Sequence, residues 1–429
     1  MSRYLITDAV RRDGDRIDVE IEDGIIVAVR SAGDADEGEY DPERRYAADG
    51  HLVTPSLTEP HIHLDATLTA GDPSWNESGT LAEGTSIWAD RKESLTVADV
   101  KERAERTIEW LASHGITRVR THADTTEESL TGVRALLGLR DEVADIVDLE
   151  VVAFPQDGLF TREHHEDLFE EAIGMGVEVV GAIPHNEHTR EDGVQSVATA
   201  VELAEHHDLA LDLHIDETDD PGSRFTEVLA SEALERGIGD RTTASHATAM
   251  HSYPNAYADK LVSLLAESGV SVITNPPDNA VLQGRYDDYP RRRGHTRIDQ
   301  LREAGVTVGI GHDSVMDPWY HYGVGDQLDA AHLLVHYAHM NARDDATALW
   351  TMLTDANAAV YGVEDYGLEP GCEGSVVVYD AADPFDALRR RAPRTIVLNR
   401  GRPIAETEPS RTSVSRESGE RSIEYIKNG

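Results

Sequence analysis

The chain predicts an α/β fold, a (β/α)8 barrel flanked by a small β-sandwich domain built from both chain ends, and three observations carry this. Eight short runs rich in β-branched residues recur between residues 52 and 314, each followed by polar residues and then by a segment of helical period. The intervening stretches, such as Val97–His114, Glu191–His207 and Phe225–Arg236, are amphipathic and long enough to be crossover helices between parallel strands. Finally, five residues of metal-ligand type, His61, His63, His214, His246 and Asp313, fall at the ends of such runs. The C-terminal strand ends are where barrels of this kind gather their chemistry.

The first run, Leu52–His63, passes through two prolines and ends on His61-Ile-His63. The second and third are Ile116–Asp124 and Leu149–Gln156, and the fourth is Val177–His185. Leu209–Glu217 contains His214 and Glu217, and Thr242–Thr248 contains His246. Ser271–Pro276 and Val306–Ser314 complete the set, the last ending in Gly-His-Asp313-Ser314. The flanks read differently: Asp18-Val-Glu-Ile, Ile25-Ile-Val-Ala-Val, Ser375-Val-Val-Val-Tyr and Thr395-Ile-Val-Leu are short strands separated by tight turns. The expected organisation is residues 1–55 as the N-terminal part of a small β domain, 56–364 as the barrel, and 365–429 as the C-terminal part plus a tail. From Glu406 the chain is rich in Ser, Glu and Arg without apolar periodicity, which leaves an ordered extension and a loose tail both open.

Composition narrows the partners. The 81 acidic residues outnumber 39 basic ones, for a formal net charge of −42, and only Lys92, Lys101, Lys260 and Lys427 are lysines. Nucleic acid and anionic membrane demand the opposite sign, so neither is an expected partner. The acids are spread over helices and loops, a solvated shell that suits a high-salt cytoplasm where counter-ions screen self-repulsion. No segment approaches the roughly 20 apolar residues of a membrane span, and the single Cys372 forms no internal disulfide, so a soluble cytoplasmic protein is expected.

Alternate residues of a strand point the same way, so His61 and His63 present two imidazoles to one cavity. Alone, His-x-His is equally a structural pair; its place on the first barrel strand favours a metal. A lone His214 reads as a satisfied core residue, but Glu217 three positions on supplies a proton carrier where the strand gives way to a loop. His246 and Asp313 repeat the pattern on strands six and eight. One divalent metal with an open position lowers the pKa of water from about 15.7 toward about 7, which is a hydrolytic function. Two-metal barrels that bridge their ions with a modified lysine are disfavoured, because none of the four lysines falls on a barrel run. The His-x-Glu, Pro-Cys-x-x-Cys deaminase design is excluded by the single cysteine.

Longer stretches carry a specific resemblance. Glu59-Pro-His-Ile-His-Leu-Asp, Trp75-Asn, Ser78-Gly-Thr-Leu, Val152-Ala-Phe-Pro-Gln, Val180-Gly-Ala-Ile-Pro-His, Thr248-Ala-Met-His-Ser-Tyr, Leu282-Gln-Gly-Arg and Asp317-Pro-Trp-Tyr together resemble the bacterial-type cytosine deaminases of the amidohydrolase superfamily over nearly the whole chain. The resemblance implies that His61, His63, His214 and Asp313 hold one Fe2+ or Zn2+, with His246 beside the attacking water. It further implies that Glu217 shuttles protons, that Gln156 binds the edge of a small pyrimidine base, and that the protein is a homo-oligomer, a hexamer in the family. In this reading Trp319 walls the pocket, with plain packing of its turn as the alternative.

The expected reaction is hydrolytic deamination of cytosine, or of a 5-substituted cytosine, to uracil and ammonia. The same ligand set leaves open a 5-methylcytosine, isoguanine, creatinine-like or triazine substrate, and a catalytically silent binding protein is the rival of another class. One departure bears on substrate: the family commonly has Asp-Asp after Gly-His, whereas this chain has Asp313-Ser314, which removes a charge near carbon 5. Asn186, His188 and Pro277-Asp278, the last placed within strand seven's Asn-Pro-Pro-Asp-Asn, depart as well.

Overall fold

The computed structural model describes residues 3–423. Eight parallel strands form one sheet in sequence order: β1 (Leu57–Ile62), β2 (Ile116–Asp124), β3 (Asp148–Phe154), β4 (Val179–Val180), β5 (Ala210–Ile215), β6 (Thr242–His246), β7 (Ser271–Thr274) and β8 (Val308–Ile310). Every residue of β1 and β2 is buried, as expected of strands covered by helices on one face and filling the barrel on the other. The seam between β8 and β1 is joined just beyond the strand ends. The N–H of Asp313 donates to the carbonyl of His61 (2.9 Å), and that of His63 to the carbonyl of Asp313 (3.1 Å). Buried Glu59 reinforces the seam, accepting from the backbone N–H groups of both His61 (3.1 Å) and His312 (3.0 Å). The barrel therefore closes through the very residues singled out in the sequence.

The crossover helices form where their capping residues and apolar stripes place them. Thr96 accepts from the N–H of Asp99 at the start of Val97–Ser113, and Val100, Ala104, Ile108 and Leu111 face inward along one stripe. Thr189 caps Arg190–His207 in the same way through Asp192, and His206 and His207 sit at its negative end.

Most expected strands are shorter than the runs that predict them, the eighth shrinking from Val306–Ser314 to Val308–Ile310, and three differ for a backbone reason. The run expected from Leu52 divides: Val53–Pro55 pairs antiparallel with Val376–Tyr379, and the N–H of Ser56 reaches the carbonyl of Ser375 (2.9 Å) before the chain enters β1. The fourth strand is a two-residue ladder, since Pro184 has no N–H and opens a 3-10 turn at Pro184–Asn186. The seventh stops at Thr274, because Pro276 and Pro277 occupy the first turn of a helix, Pro276–Leu282, where their missing N–H groups cost no bond. Asp278 accordingly lies on that helix and not in strand seven.

Two four-stranded sheets flank the barrel. One joins Arg3–Val10, Arg16–Glu22, Ile25–Ser31 and Arg45–Ala47; the other joins Val53–Pro55, Val376–Tyr379, Arg394–Asn399 and Arg402–Glu406. Ile6, Val19, Ile21 and Ile26 from the first pack with Val53, Val376, Val378, Ile396 and Leu398 from the second in one core. The alternate residues Val377, Tyr379 and Val397 turn to the core of the barrel, so strand alternation ties the two together. After Glu406 an exposed hairpin forms, Ser413–Arg416 with Gly419–Ser422, and residues 424–429 of the expected tail lie outside the described residues. Among the described residues no helix is long and apolar enough to cross a membrane.

Candidate active site

At the C-terminal rim the strand ends bring three imidazoles to one point. Nε2 of His214 lies 3.2 Å from Nε2 of His61 and 3.0 Å from Nε2 of His63. Oδ1 of Asp313 is 3.6 and 3.5 Å from the same two nitrogens. Ligands about 2.05 Å from a tetrahedral ion are spaced about 3.3 Å apart, so this is the spacing of a metal's donor set. Burial, with the charge of neighbouring imidazoles, holds His61 and His214 well below the ordinary histidine range; burial also lowers His63 to about 4. All three are thus unprotonated at neutral pH, with at most one N–H available to relieve three converging lone pairs.

The acids argue the same way. Burial first, then Asp278 and Glu217, pushes Asp313 well above the carboxylate range. Among the described residues no Arg or Lys pairs with Asp313, Asp278 or Glu217, and buried carboxylates need a counter-charge. A divalent cation fits both deficits.

The supporting shell fixes the tautomer of His61. Ser245 Oγ donates to Asp212 Oδ1 (2.6 Å), so its lone pairs receive the Nδ1–H of His61 (3.0 Å), leaving Nε2 free to ligate. His246 is fixed from the other side. Asn279 Oδ1 accepts the N–H of Asn275 (3.3 Å), which aims its Nδ2 at His246 Nδ1 (3.0 Å). That ring lies 3.6 Å from Glu217 Oε1 and 3.7 Å from Asp313 Oδ2. His246 and Asp313 both have left-handed backbones, φ 70° and 72°, sparsely populated for residues with a Cβ and a recurrent feature of functional sites.

A small, tight pocket sits over this cluster. Its walls include Gln156, Glu217, His246, Asp313, Ser314 and Trp319, together with His63 and His214. It shares Leu81, Asn186, Glu217 and Leu282 with a wider outer cleft. Gln156 is buried, and its side-chain amide makes no hydrogen bond among the described residues. Trp319 packs 6.2 Å from the ring of Trp88 while lining the pocket, so packing and wall coexist. A Cβ at Gly84 would come 2.6 Å from Trp319 Cδ1, which is why the helix Leu81–Lys92 can lie directly on the indole. Burial alone raises Glu217 to about 8, so its carboxyl is protonated at neutral pH.

All the residues expected from the sequence therefore meet, and the structure adds others. Ser314 does not leave its end of the pocket without an acid: its hydroxyl donates to Asp278 Oδ2 (2.9 Å), a buried carboxyl from the Pro276–Leu282 helix. His122 of β2 is a further imidazole at the cluster, its ring centroid 4.1 Å from that of His61; neither of its nitrogens has a hydrogen-bond partner among the described residues, and Nε2 stands 3.9 Å from Asp212 Oδ1. The available signal was its position near the end of strand two, in alternation with Arg120 and Asp124.

Residues 79–405 match the model of the amidohydrolase family. The fold superposes on the crystal structure of 5-methylcytosine deaminase from Klebsiella pneumoniae liganded with 5-fluorocytosine, with a TM-score of 0.91 and 42% identity over 95% of this chain and 98% of that one. In sequence it is 28% identical to N-isopropylammelide isopropyl amidohydrolase of Pseudomonas sp. strain ADP, over 84% of this chain and 88% of that protein. It is 26% identical to the pterin deaminase of Rhizobium rhizogenes, over 92% and 89%. The match spans well over half of the sequence and the likeness to these carbon–nitrogen hydrolases runs through both barrel and flanks, so the chain belongs to the amidohydrolase family, in its cytosine deaminase-type branch.

Proposed function

We propose that this enzyme hydrolyses the exocyclic amine of cytosine, or of cytosine bearing a small group at carbon 5, giving the uracil and ammonia. The observation that supports this most is the pocket itself, small, buried, and combining an uncommitted amide, an indole face and a protonated carboxyl beside a donor cluster. The 42% identity to a 5-methylcytosine deaminase supports the ring class.

His61, His63, His214 and Asp313 would hold one divalent ion, Fe2+ or Zn2+, since an N3O set suits either and their donor atoms converge. When bound, the ion makes water ionisable near neutral pH and polarises it for attack. Gln156 offers both a donor and an acceptor and so holds the ring carbonyl and the adjacent ring N–H, while Trp319 covers a face of the base and excludes solvent. That fixed pose aims carbon 4 at the rim. Glu217, protonated before the base binds, delivers its proton to ring nitrogen 3 as carbon 4 becomes tetrahedral. Asp313 and His246 orient the attacking water and take up its proton; Glu217, ionised by its first transfer, takes the proton of the hydroxyl now on carbon 4 and hands it to the amine as the carbon–nitrogen bond breaks, and the proton held by Asp313 and His246 restores Glu217.

The test is ammonia release from cytosine, 5-methylcytosine, isoguanine, creatinine, pterin and N-isopropylammelide, with the ring product identified by mass. Cytosine or 5-methylcytosine should give the highest kcat/KM. A triazine or pterin as best substrate would overturn the pyrimidine assignment. Such a substrate is the reading favoured by the relatives that hydrolyse those rings.

A further inference from the structure

Three buried acids line the pocket and a fourth, Asp317, lies beside Asp278; three of the four have evident work. Asp313 belongs to the donor cluster, and Glu217 faces His246. Asp317 holds its own turn, Oδ1 accepting from the N–H groups of Trp319 (2.9 Å) and Tyr320 (3.0 Å). Asp278 has no such employment. It is 3% exposed and lines the pocket; one oxygen accepts from Ser314, the carboxyl of Asp313 lies within hydrogen-bonding reach, and Oδ1 receives no N–H or O–H donor among the described residues. A buried carboxyl oxygen without a donor is costly, and in a ligand pocket the missing donor is naturally the ligand.

The barrel's topology says which part of the ligand. Gln156 follows β3 and Asp278 follows β7, four strands apart in an eight-stranded ring, so the two side chains approach from opposite sides. If Gln156 takes the ring carbonyl and its neighbouring N–H, the edge turned toward Asp278 carries carbon 4, its amine, and carbon 5. Resting on the pyrimidine reading for that orientation, we infer that Asp278, held by the hydroxyl of Ser314, is a substrate-positioning residue whose free oxygen accepts the exocyclic N–H on the carbon 5 side. Ser314 acts through Asp278 and not by direct contact. A substituent at carbon 5 lies beside this hydrogen bond, so the Asp278–Ser314 pair also bounds the size of group tolerated there.

The experiment compares wild type, Asp278→Asn, Ser314→Ala and Ser314→Thr on cytosine, 5-methylcytosine, pterin and N-isopropylammelide, using for each comparison the ring the wild type prefers. Asn is isosteric and still accepts from Ser314, but it presents an N–H where the carboxyl presented an acceptor oxygen. Asp278→Asn should lower kcat/KM by about 10- to 100-fold, the scale of losing one buried acceptor and leaving a buried donor unmatched. Metal content and melting temperature should stay at wild-type values, which a merely structural role would not allow. Ser314→Ala should lose about 3- to 10-fold by releasing the carboxylate, and Ser314→Thr, which keeps the hydroxyl, should recover most of that. Asp278→Asn within twofold of wild type, or a loss matched by loss of metal, would overturn the assignment. A wild type that prefers pterin or N-isopropylammelide while Asp278→Asn still loses activity on that ring would instead overturn the pyrimidine reading and retain the Asp278 contact.

Discussion

Replacing Glu217 by Gln isolates proton transfer from everything else in the site. The backbone before it is fixed independently, since Asp216 (φ 51°) accepts from Ser223 Oγ, the N–H groups of Phe225 and Thr226, Thr226 Oγ1 and Tyr253 Oη. Glu217 makes no ion pair with Arg or Lys among the described residues, so the amide breaks none. The expected loss in kcat is about 10² to 10⁴, or roughly 3–5 kcal/mol of transition-state stabilisation, with metal content unchanged. Stability should move the other way. The unfolded glutamate ionises near 4.5 and the folded one near 8, so between these values folding must take up a proton and this group destabilises the fold increasingly as pH rises. At pH 7 that penalty is about 3 kcal/mol in metal-free protein, and the Gln variant, which cannot ionise, escapes it. A bound cation favours the ionised form, so the alkaline limb of the wild-type kcat/KM profile should lie at or below about pH 8. Ammonia release against pH, metal analysis and apo-protein melting curves test all three. Turnover within tenfold of wild type, with metal retained, refutes the role given to Glu217.

Ser245→Ala removes the group that accepts the Nδ1–H of His61, and should weaken metal affinity by about 10- to 100-fold in a chelator competition; unchanged affinity would show that the tautomer is fixed otherwise. Trp319→Leu removes an indole face from the pocket and should raise KM by about 2- to 12-fold, the scale of an aromatic contact, without metal loss. A change confined to kcat would mean that the ring does not touch the base. The net charge of −42 should make the melting temperature fall between molar and low-millimolar potassium chloride, and an unchanged value would refute a role for counter-ion screening in stability.

The convergence of these donors was legible because a strand's alternation is local: His61 and His63 share a face whatever the rest of the chain does, and His214, His246 and Asp313 are set at or just beyond strand ends by sequence alone. What was hidden depends on where neighbouring strands stop. Asp278 read as part of strand seven until the prolines at 276 and 277 showed themselves as a helix start, which turns residue 278 into the pocket. His122 carried the same strand-end signal as the others, but no pattern in the run distinguished an imidazole without a hydrogen bond from a packed one. Ser314 shows the limit most plainly. Read as a motif, Asp313-Ser314 has lost an acid; in three dimensions the carboxyl is supplied by residue 278, 36 positions away, and the serine hydroxyl holds it. The charge at a barrel mouth is a property of the ring of loops, so a substitution at one loop predicts specificity only when the residue facing it from the next is known. Ser314→Asp in this chain would therefore set a second carboxylate against Asp278, and would not simply restore the family's pattern.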